Sequence, residues 1–172
     1  MTEIQMKPLT LSQMADLYSN LSADFPASEL KPWQDIQPLV EAESYFGYGL
    51  YLEEQYIGYA ALLSIDQRGV LLDYLAVLSS ARNLGLGSKI LALLYAKLQT
   101  KFQFIIIEAE SVAYAHDEAN AKLRQRRINF YLRNGVRDSG ILSHAPGYDV
   151  DLLIADLQAE KASQEKIIES LM

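Results

Sequence analysis

Residues 70–107 constrain the fold of this chain more than any other segment. Residues 70–77 form a nearly continuous apolar run, as expected of a strand covered on both faces. Residues 86–98 are apolar at positions 86, 90, 91, 93, 94 and 98, the spacing of a helix with a wide buried face. Residues 104–107 form a second buried strand. The segment therefore predicts a sheet with helices packed on it.

The patterns on either side extend this prediction. Before the segment, we expect a strand at 3–8, a helix from Thr10 to about Leu21, an irregular loop and broken helix at 25–38, and a β-hairpin of 48–52 with 56–62. After it, we expect a helix at 117–134 that ends at Asn134-Gly135, and strands at about 136–143 and 148–154. The order of elements predicts an α/β or α+β domain.

Length and composition favour one domain. A chain of 172 residues and 19.3 kDa has the usual single-domain size, and about 70% of its surface can be buried on folding. Half of the residues are apolar and 22% are charged, which excludes collagen-like, low-complexity and wholly disordered classes. We expect one domain over residues 1–155 and a helical tail over 156–172.

Several kinds of chemistry are excluded by residue counts. The chain has no cysteine, which rules out disulfides, thiolate nucleophiles, iron–sulfur clusters and cysteine zinc sites. With two histidines, His116 and His144, we expect no metal site. The amino terminus lacks a basic stretch followed by an apolar run, and no segment has the length to span a bilayer. We therefore expect a cytoplasmic protein with no membrane partner.

Charge is distributed unevenly along the chain. The net charge of −7 argues against nucleic acid as a partner. The first sixty residues hold nine acidic and two basic side chains, whereas residues 122–137 hold six basic side chains and no acidic one. This basic block is either a solvated helix face or a site for an anionic ligand, and the charge pattern leaves both interpretations open.

The loop at 77–88 leads from a buried strand through two glycines into a helix. Backbone N–H groups at a helix start favour an anion, and glycine lets a phosphate approach them. A dinucleotide fingerprint would need a third glycine where Ile90 stands, and the order Gly87-Ser88-Lys89 is wrong for a Walker A loop. The loop alone could instead serve only to pack a helix on a sheet.

The pattern R-x-x-G-x-G at Arg82, Gly85 and Gly87 resembles the pyrophosphate-binding motif of the GNAT superfamily of acyl-CoA-dependent N-acyltransferases. Residues 129–136, N-F-Y-L-R-N-G-V, resemble a second signature of that family, with Val136 in place of the usual phenylalanine. Ser79 replaces a proline that is common before the loop. The resemblance covers about residues 3–155. It implies a mixed, mostly antiparallel sheet of about seven strands flanked by helices, with splayed fourth and fifth strands at 70–77 and 102–110.

The same resemblance implies which residues bind acetyl-CoA. The pantetheine arm would pair with the backbone of the fourth strand, and the diphosphate would lie on the loop. Arg124 or Arg127 would contact the 3′-phosphate. The implied coenzyme-binding residues are Leu75, Ala76, Val77, Arg82, Asn83, Leu84, Gly85, Leu86, Gly87, Ser88, Arg124 and Arg127.

The resemblance also implies that Tyr131 protonates the departing thiolate, although a tyrosine here could be a hydrogen-bonded core residue. Strand alternation places Glu108 and Glu110 on one face, where two carboxylates could take a proton from the attacking amine. A solvated strand end would show the same pattern. Asp73, alone in an apolar strand, is either a further candidate for the base or a buried hydrogen-bonded acid, and His144 is another candidate.

We expect the acceptor near Phe25, Glu29, Trp33 and Tyr148, and the acidic first third favours a cationic amine such as an amino sugar, a polyamine or a peptide amino terminus. The predicted function is metal-free transfer of an acetyl group from acetyl-CoA to a primary amine by direct attack. The alternative is a non-catalytic acyl-CoA-binding or interaction module. Either a monomer or a homodimer is compatible with the sequence.

Overall fold

The computed structural model describes residues 3–21, 30–82, 84–145 and 148–157, without the side chains of 145 and 148. The strands are β1 (Ile4–Pro8), β2 (Tyr45–Leu52), β3 (Gln55–Ile65), β4 (Gly69–Val77), β5 (Phe104–Glu110), β6 (Arg137–Ala145) and β7 (Tyr148–Asp156). The helices are α1 (Leu11–Asn20), α2 (Trp33–Glu41), α3 (Gly87–Leu98) and α4 (Glu118–Leu132). Within these ranges, no helix has the length and apolar character to cross a membrane.

The seven strands form one sheet in the order β1-β2-β3-β4-β5-β7-β6. Neighbouring strands are antiparallel except β4 and β5, which are parallel because the α3 crossover joins them. The expected mixed, mostly antiparallel sheet of about seven strands is confirmed. The tail predicted at 156–172 lies almost entirely outside the described residues.

Helices cover both faces of the sheet. Helices α1 and α2 bury Met14, Leu17 and Ile36 on one face, and α3 buries Ile90 and Leu91 on the other. The sheet lies between α1 and α2 on one side and α3 on the other, so the apolar stripes of these helices contribute to two separate cores.

One element differs from the prediction for residues 25–38. Trp33 begins a regular helix, α2, that continues to Glu41 although Pro38 lies inside it. Proline there lacks the N–H that would bond to the preceding turn. Burial of Ile36 in the core under α1 and α2 stabilises the helix. The prolines of this segment, which predict a broken helix, do not reveal that tertiary contact.

The parallel pair separates partway along. Pairing between β4 and β5 runs from Gly69 opposite Phe104 to Leu72 opposite Ile107, and β4 then continues to Val77. The rest of β5 remains paired with β7 up to Glu110. A gap therefore opens between the two central strands, which confirms the expected splay.

A β-bulge lies where this gap begins. Ala61 of β3 pairs with Tyr74, whereas the next residue, Leu62, pairs with Leu72, so Asp73 is the extra residue of β4. A bulge interrupts the alternation of side chains along a strand. Tyr74 belongs to the core under α1 and α2, and Asp73 bonds to Tyr45 of that same core. Two consecutive side chains of β4 therefore face the α1–α2 side.

Position 58 of β3 requires glycine because it lies close to the backbone of β4. A Cβ atom at residue 58 would lie 2.2 Å from the carbonyl oxygen of Ala76, a backbone atom that cannot move without disturbing the sheet. We expect Gly58→Ala to reduce the free energy of unfolding by about 2 kcal/mol and the melting temperature by roughly 4–8 °C. Thermal unfolding followed by circular dichroism measures this.

Gly49→Ala is the matched control. Its Cβ would meet only side-chain atoms, the nearest being Cε2 of Tyr51 at 3.0 Å. A melting temperature for Gly58→Ala equal to that of Gly49→Ala would contradict the assigned constraint.

Candidate active site

The gap between β4 and β5 opens into a cleft of about 700 Å³. Residues 72–77 of β4 form one wall and residues 107–110 of β5 form another. One face of α4 closes the third side. Because pairing between the strands stops after Leu72, the β4 edge in the cleft is available for another extended chain.

Helix α4 lines the cleft with one stripe of side chains. The lining residues follow Leu123 at intervals of three, four, seven and eight positions, which places them on one face of the helix. They are Leu123, Arg126, Arg127, Phe130 and Tyr131. The helix begins at Asp117, whose carboxylate accepts from the N–H of Asn120 at 2.6 Å. It is followed by Gly135 with φ +83°, the left-handed conformation that the sequence predicts there.

The loop after β4 leads into the amino terminus of α3. Its Gly85 has φ +70°, and Leu86 beyond it is buried. None of the described side chains caps α3, and its first turn has no acidic residue. Helices α1 and α4, by contrast, are capped by Thr10 and Asp117. The first N–H groups of α3 are therefore suited to an anionic ligand.

Gly87 and Arg82 connect this loop to the cleft. A Cβ atom at Gly87 would lie 2.9 Å from Cζ of Phe130, so α3 and α4 approach closely only because residue 87 has no side chain. The Nε of Arg82 donates to the carbonyl of Val77 at 2.8 Å, which holds the arginine on the cleft wall. Asn83 lies outside the described residues.

Two arginines predicted to contact phosphate converge on one carboxylate. Arg124 Nη2 is 2.9 Å from Glu110 Oε2, and Arg127 Nη1 is 3.3 Å from Glu110 Oε1. Arg124 is 13% exposed and also donates to the carbonyl of Ser111 at 2.8 Å. The structure thus places Arg124 between α4 and the end of β5. Arg127, unlike Arg124, lines the cleft. Their contact with a 3′-phosphate stays a prediction.

The cleft is also lined by two arginines that the sequence analysis did not select. Arg126 and Arg133 lie there with Arg82, and Arg133 stacks over the Phe130 ring with its Cζ 5.5 Å from the centroid. Helical spacing counted from Phe130 contains the signal, since residues 126, 130 and 133 share a face. The cleft is therefore more basic on its α4 side than the two selected arginines indicate.

Both carboxylates predicted on β5 line the cleft. Strand alternation correctly places Glu108 and Glu110 on one side. Both oxygens of Glu110 are engaged by guanidinium groups, whereas the side chain of Glu108 is exposed. The role of either carboxylate as the base stays a prediction.

Tyr131 also lines the cleft. Burial raises the pKa of its hydroxyl above the ordinary value, and the charge of Arg127 offsets part of that rise. The hydroxyl therefore stays protonated at neutral pH and is able to donate a proton.

Asp73 at the bulge is the centre of a polar network on the α1–α2 side. Its Oδ1 lies 2.6 Å from Lys31 Nζ, and Tyr45 donates to its Oδ2 at 2.5 Å. Tyr18 in turn donates to the Tyr45 hydroxyl at 2.9 Å. Burial, reinforced by the negative charge of Asp73, raises the pKa of Tyr45.

The predicted acceptor residues are only partly placed. Trp33 at the start of α2 packs against Tyr18, with ring centroids 5.3 Å apart. Phe25 and Glu29 lie outside the described residues, as does the side chain of Tyr148. His144 pairs with Asp149 at the β6–β7 turn and faces the edge of the Tyr114 ring. Among the described side chains, no group of three or more histidines and carboxylates could hold a metal ion.

The sheet opens between two parallel strands beside a glycine turn, as the resemblance to the GNAT superfamily implies. The model of the acetyltransferase (GNAT) family matches residues 14–135, and the chain belongs to this family. None of the curated proteins matches the chain significantly.

Solved structures share the whole fold at low sequence identity. A Bacteroides thetaiotaomicron protein assigned to the GNAT acetyltransferases is 21% identical, with TM-score 0.68 over 97% of this chain and 95% of its own. The spermidine N-acetyltransferase of Vibrio cholerae is 9% identical, with TM-score 0.65 over 90% and 94%. Aminoglycoside acetyltransferase AAC(6')-Ib, solved with coenzyme A and kanamycin, is 19% identical, with TM-score 0.65 over 94% and 99%.

Proposed function

We propose that this protein is an N-acetyltransferase that transfers the acetyl group of acetyl-CoA to a primary amine of a small molecule or peptide by direct attack. The observation that carries the proposal is the cleft itself. It brings the unpaired edge of β4, the side chain of Tyr131 and carboxylates of β5 together in one cavity. Family membership supports acetyl transfer.

The residues present suit coenzyme A as the donor. Residues 75–77 supply backbone groups on the open β4 edge, to which the amides of a pantetheine arm would pair as an added strand. The start of α3, which no described side chain caps, would receive the diphosphate, and Gly85 leaves space for it because no described atom beyond its chain neighbours lies within 4 Å of its Cβ position. Arg126, Arg127 and Arg133 supply positive charge along the cleft.

The reaction needs three proton transfers. The acceptor ammonium loses a proton to a carboxylate on the cleft, directly or through water, and its nitrogen forms a bond to the acetyl carbon. The C–S bond breaks, and the thiolate takes a proton from the Tyr131 hydroxyl. The nitrogen gives up its second proton, directly or through water, to the Tyr131 oxygen, which leaves a neutral amide and a protonated tyrosine. The raised pKa of that hydroxyl supports this assignment, because the donor must carry its proton at working pH.

A cationic acceptor suits the charge distribution. The first sixty residues, which include β1, α1, α2, β2 and the first part of β3, hold nine acidic and two basic side chains. Such a surface attracts cations. Spermidine and kanamycin, named for two structures of the same fold, are both amine-bearing cations. We propose a cytoplasmic monomer or homodimer as the working form.

An acetyl-CoA-dependent thiol-release assay over an amine panel tests this function. We expect release only when a primary amine is present, with kcat/KM for cationic amines above that for neutral and acidic amines of similar size. Because the attraction is electrostatic, the preference should weaken as ionic strength rises from about 0.01 to 0.15 M.

A calorimetric titration with acetyl-CoA separates the two halves of the proposal. Binding without amine-dependent turnover across the panel would contradict the transferase function but retain the donor site. A preference for neutral or acidic amines with no salt dependence would overturn the cationic acceptor alone.

A further inference from the structure

Lys31 and Asp73 form an ion pair whose two side chains differ in their exposure to solvent. The Asp73 side chain is 7% exposed, whereas the Lys31 side chain is 40% exposed, so solvent reaches the lysine but hardly the carboxylate. Asp73 is also one of the residues that line the cleft. The pair therefore joins an enclosed anion at the cleft to a cation that can leave toward solvent.

The bulge sets the direction from which a cation reaches Asp73. The loop before α3 and the helices α3 and α4 lie on one side of the sheet, and Asp73 faces the side of α1 and α2. Asp73 is also the first residue of β4 beyond the last parallel pair, Leu72 with Ile107. An amine held by Asp73 and a thioester bound along the β4 edge would thus approach the same opening from opposite sides.

The surroundings of the pair suit an alkylammonium group. Tyr45 donates to the second oxygen of Asp73, which leaves the first oxygen for a cation. The rings of Trp33, Tyr45 and Tyr74 surround Tyr18 at centroid distances of 5.3, 6.0 and 6.2 Å. Aromatic faces and a carboxylate together are the groups that recognise ammonium ions on apolar stems.

We propose that Lys31 is a built-in competitor of the acceptor, and that its ammonium occupies at Asp73 the position taken by the ammonium of a primary alkylamine during turnover. The inference rests on the proposed function and specifies the acceptor as an unbranched alkylammonium. Leaving a buried carboxylate without a cation is costly, whereas exchanging one ammonium for another is nearly neutral. The acceptor therefore enters by exchange.

The exchange leads into a balanced transfer. The acceptor ammonium gives one proton to the Asp73 carboxylate, its nitrogen bonds to the acetyl carbon of acetyl-CoA, and the C–S bond breaks. Tyr131 protonates the thiolate and regains the second proton that the acceptor nitrogen releases, as proposed above. The amide product has no charge, so once Asp73 has released its proton to water, Lys31 pairs again with the carboxylate and favours product release.

Lys31→Ala with n-propylamine as the probe tests the inference. The substitution removes the atoms that n-propylamine would supply. We expect kcat/KM for n-propylamine to rise at least about tenfold over wild type, because an internal competitor lowers apparent affinity in proportion to its occupancy. N-propylacetamide, identified by mass spectrometry, must be the product. Lys31→Arg, which retains a cation at Asp73, should show no gain.

Two controls separate a competitor from a merely structural lysine. Lys122→Ala removes a lysine of the exposed pair with Glu118 and should leave n-propylamine turnover unchanged. Lys31→Ala combined with Asp73→Asn should lose the gain. Lys31→Gln, which keeps a hydrogen-bond donor, serves if Lys31→Ala does not fold, and it should show a smaller gain.

The outcomes distinguish this inference from the proposed function. Wild-type acetyl-CoA affinity in a folded Lys31 variant with no gain for n-propylamine would overturn the competitor role and leave the transferase intact. A gain that persists without Asp73 would also overturn it. Absence of acetyl-CoA binding in the wild-type protein would overturn both.

Discussion

Replacement of Gly87 by leucine is expected to weaken acetyl-CoA binding at least about a hundredfold, equivalent to about 3 kcal/mol. A Cβ at this position would lie 2.9 Å from Cζ and 3.0 Å from Cε2 of Phe130, so the ring must move. Phe130 lines the cleft, and a displaced ring and the added leucine would intrude on the space beside the α3 amino terminus. Isothermal titration calorimetry with acetyl-CoA measures the loss.

The matched control for this change is Lys97→Leu, which places the same side chain on an exposed position of α3 away from the cleft. We expect it to bind acetyl-CoA as the wild type does. Circular dichroism should show that both variants are folded. Equal affinities of the Gly87 and Lys97 variants would show that the α3 amino terminus is not where the diphosphate binds.

The dual role of Gly87 shows how far the sequence predicts the site. Spacing of Arg82, Gly85 and Gly87 predicts a loop that admits a phosphate, and the positive φ of Gly85 agrees with that prediction. The sequence does not indicate that Gly87 also lies against Phe130. That contact depends on the packing of α3 against α4, which joins distant parts of the chain.

The two central strands show where side-chain alternation can be trusted. It correctly places Glu108 and Glu110 on one face of β5, because β5 pairs regularly with β7. On β4 it fails at Asp73, because the bulge depends on the register of β3 against β4 and leaves no mark in an apolar run. The sequence thus selects Asp73 as a candidate but not its network with Lys31 and Tyr45.

A block of basic residues in the sequence is weak evidence for an anionic ligand, because the sequence does not show which acidic side chains of other elements pair with it. The basic residues at 122–137 indicate an anionic ligand, but Glu110 of β5 already engages Arg124 and Arg127. Arg126 and Arg133, which the sequence analysis did not select, line the cleft together with Arg127. Which arginine faces a ligand is decided by helix rotation against the sheet.

Conversion of Tyr131 to phenylalanine is expected to lower kcat about a hundredfold, the lower end of what a general acid contributes. The change removes one hydroxyl and leaves the ring, which packs against Phe130 with centroids 5.3 Å apart. The affinity for acetyl-CoA should stay within about twofold of the wild type, because no binding contact is assigned to the hydroxyl. Steady-state thiol release and calorimetry measure the two quantities separately.

The pH dependence of kcat provides a second measure of the same role. Burial holds the pKa of Tyr131 above its ordinary value, so the acid is fully protonated at neutral pH and is lost only at strongly alkaline pH. On the alkaline side, wild-type kcat should therefore fall only at the extreme, and Tyr131→Phe should lack that limb. Tyr51→Phe, on β2, is the matched control and should retain wild-type kcat. If Tyr131→Phe also kept the wild-type kcat, the thiolate would have to take its proton from another donor.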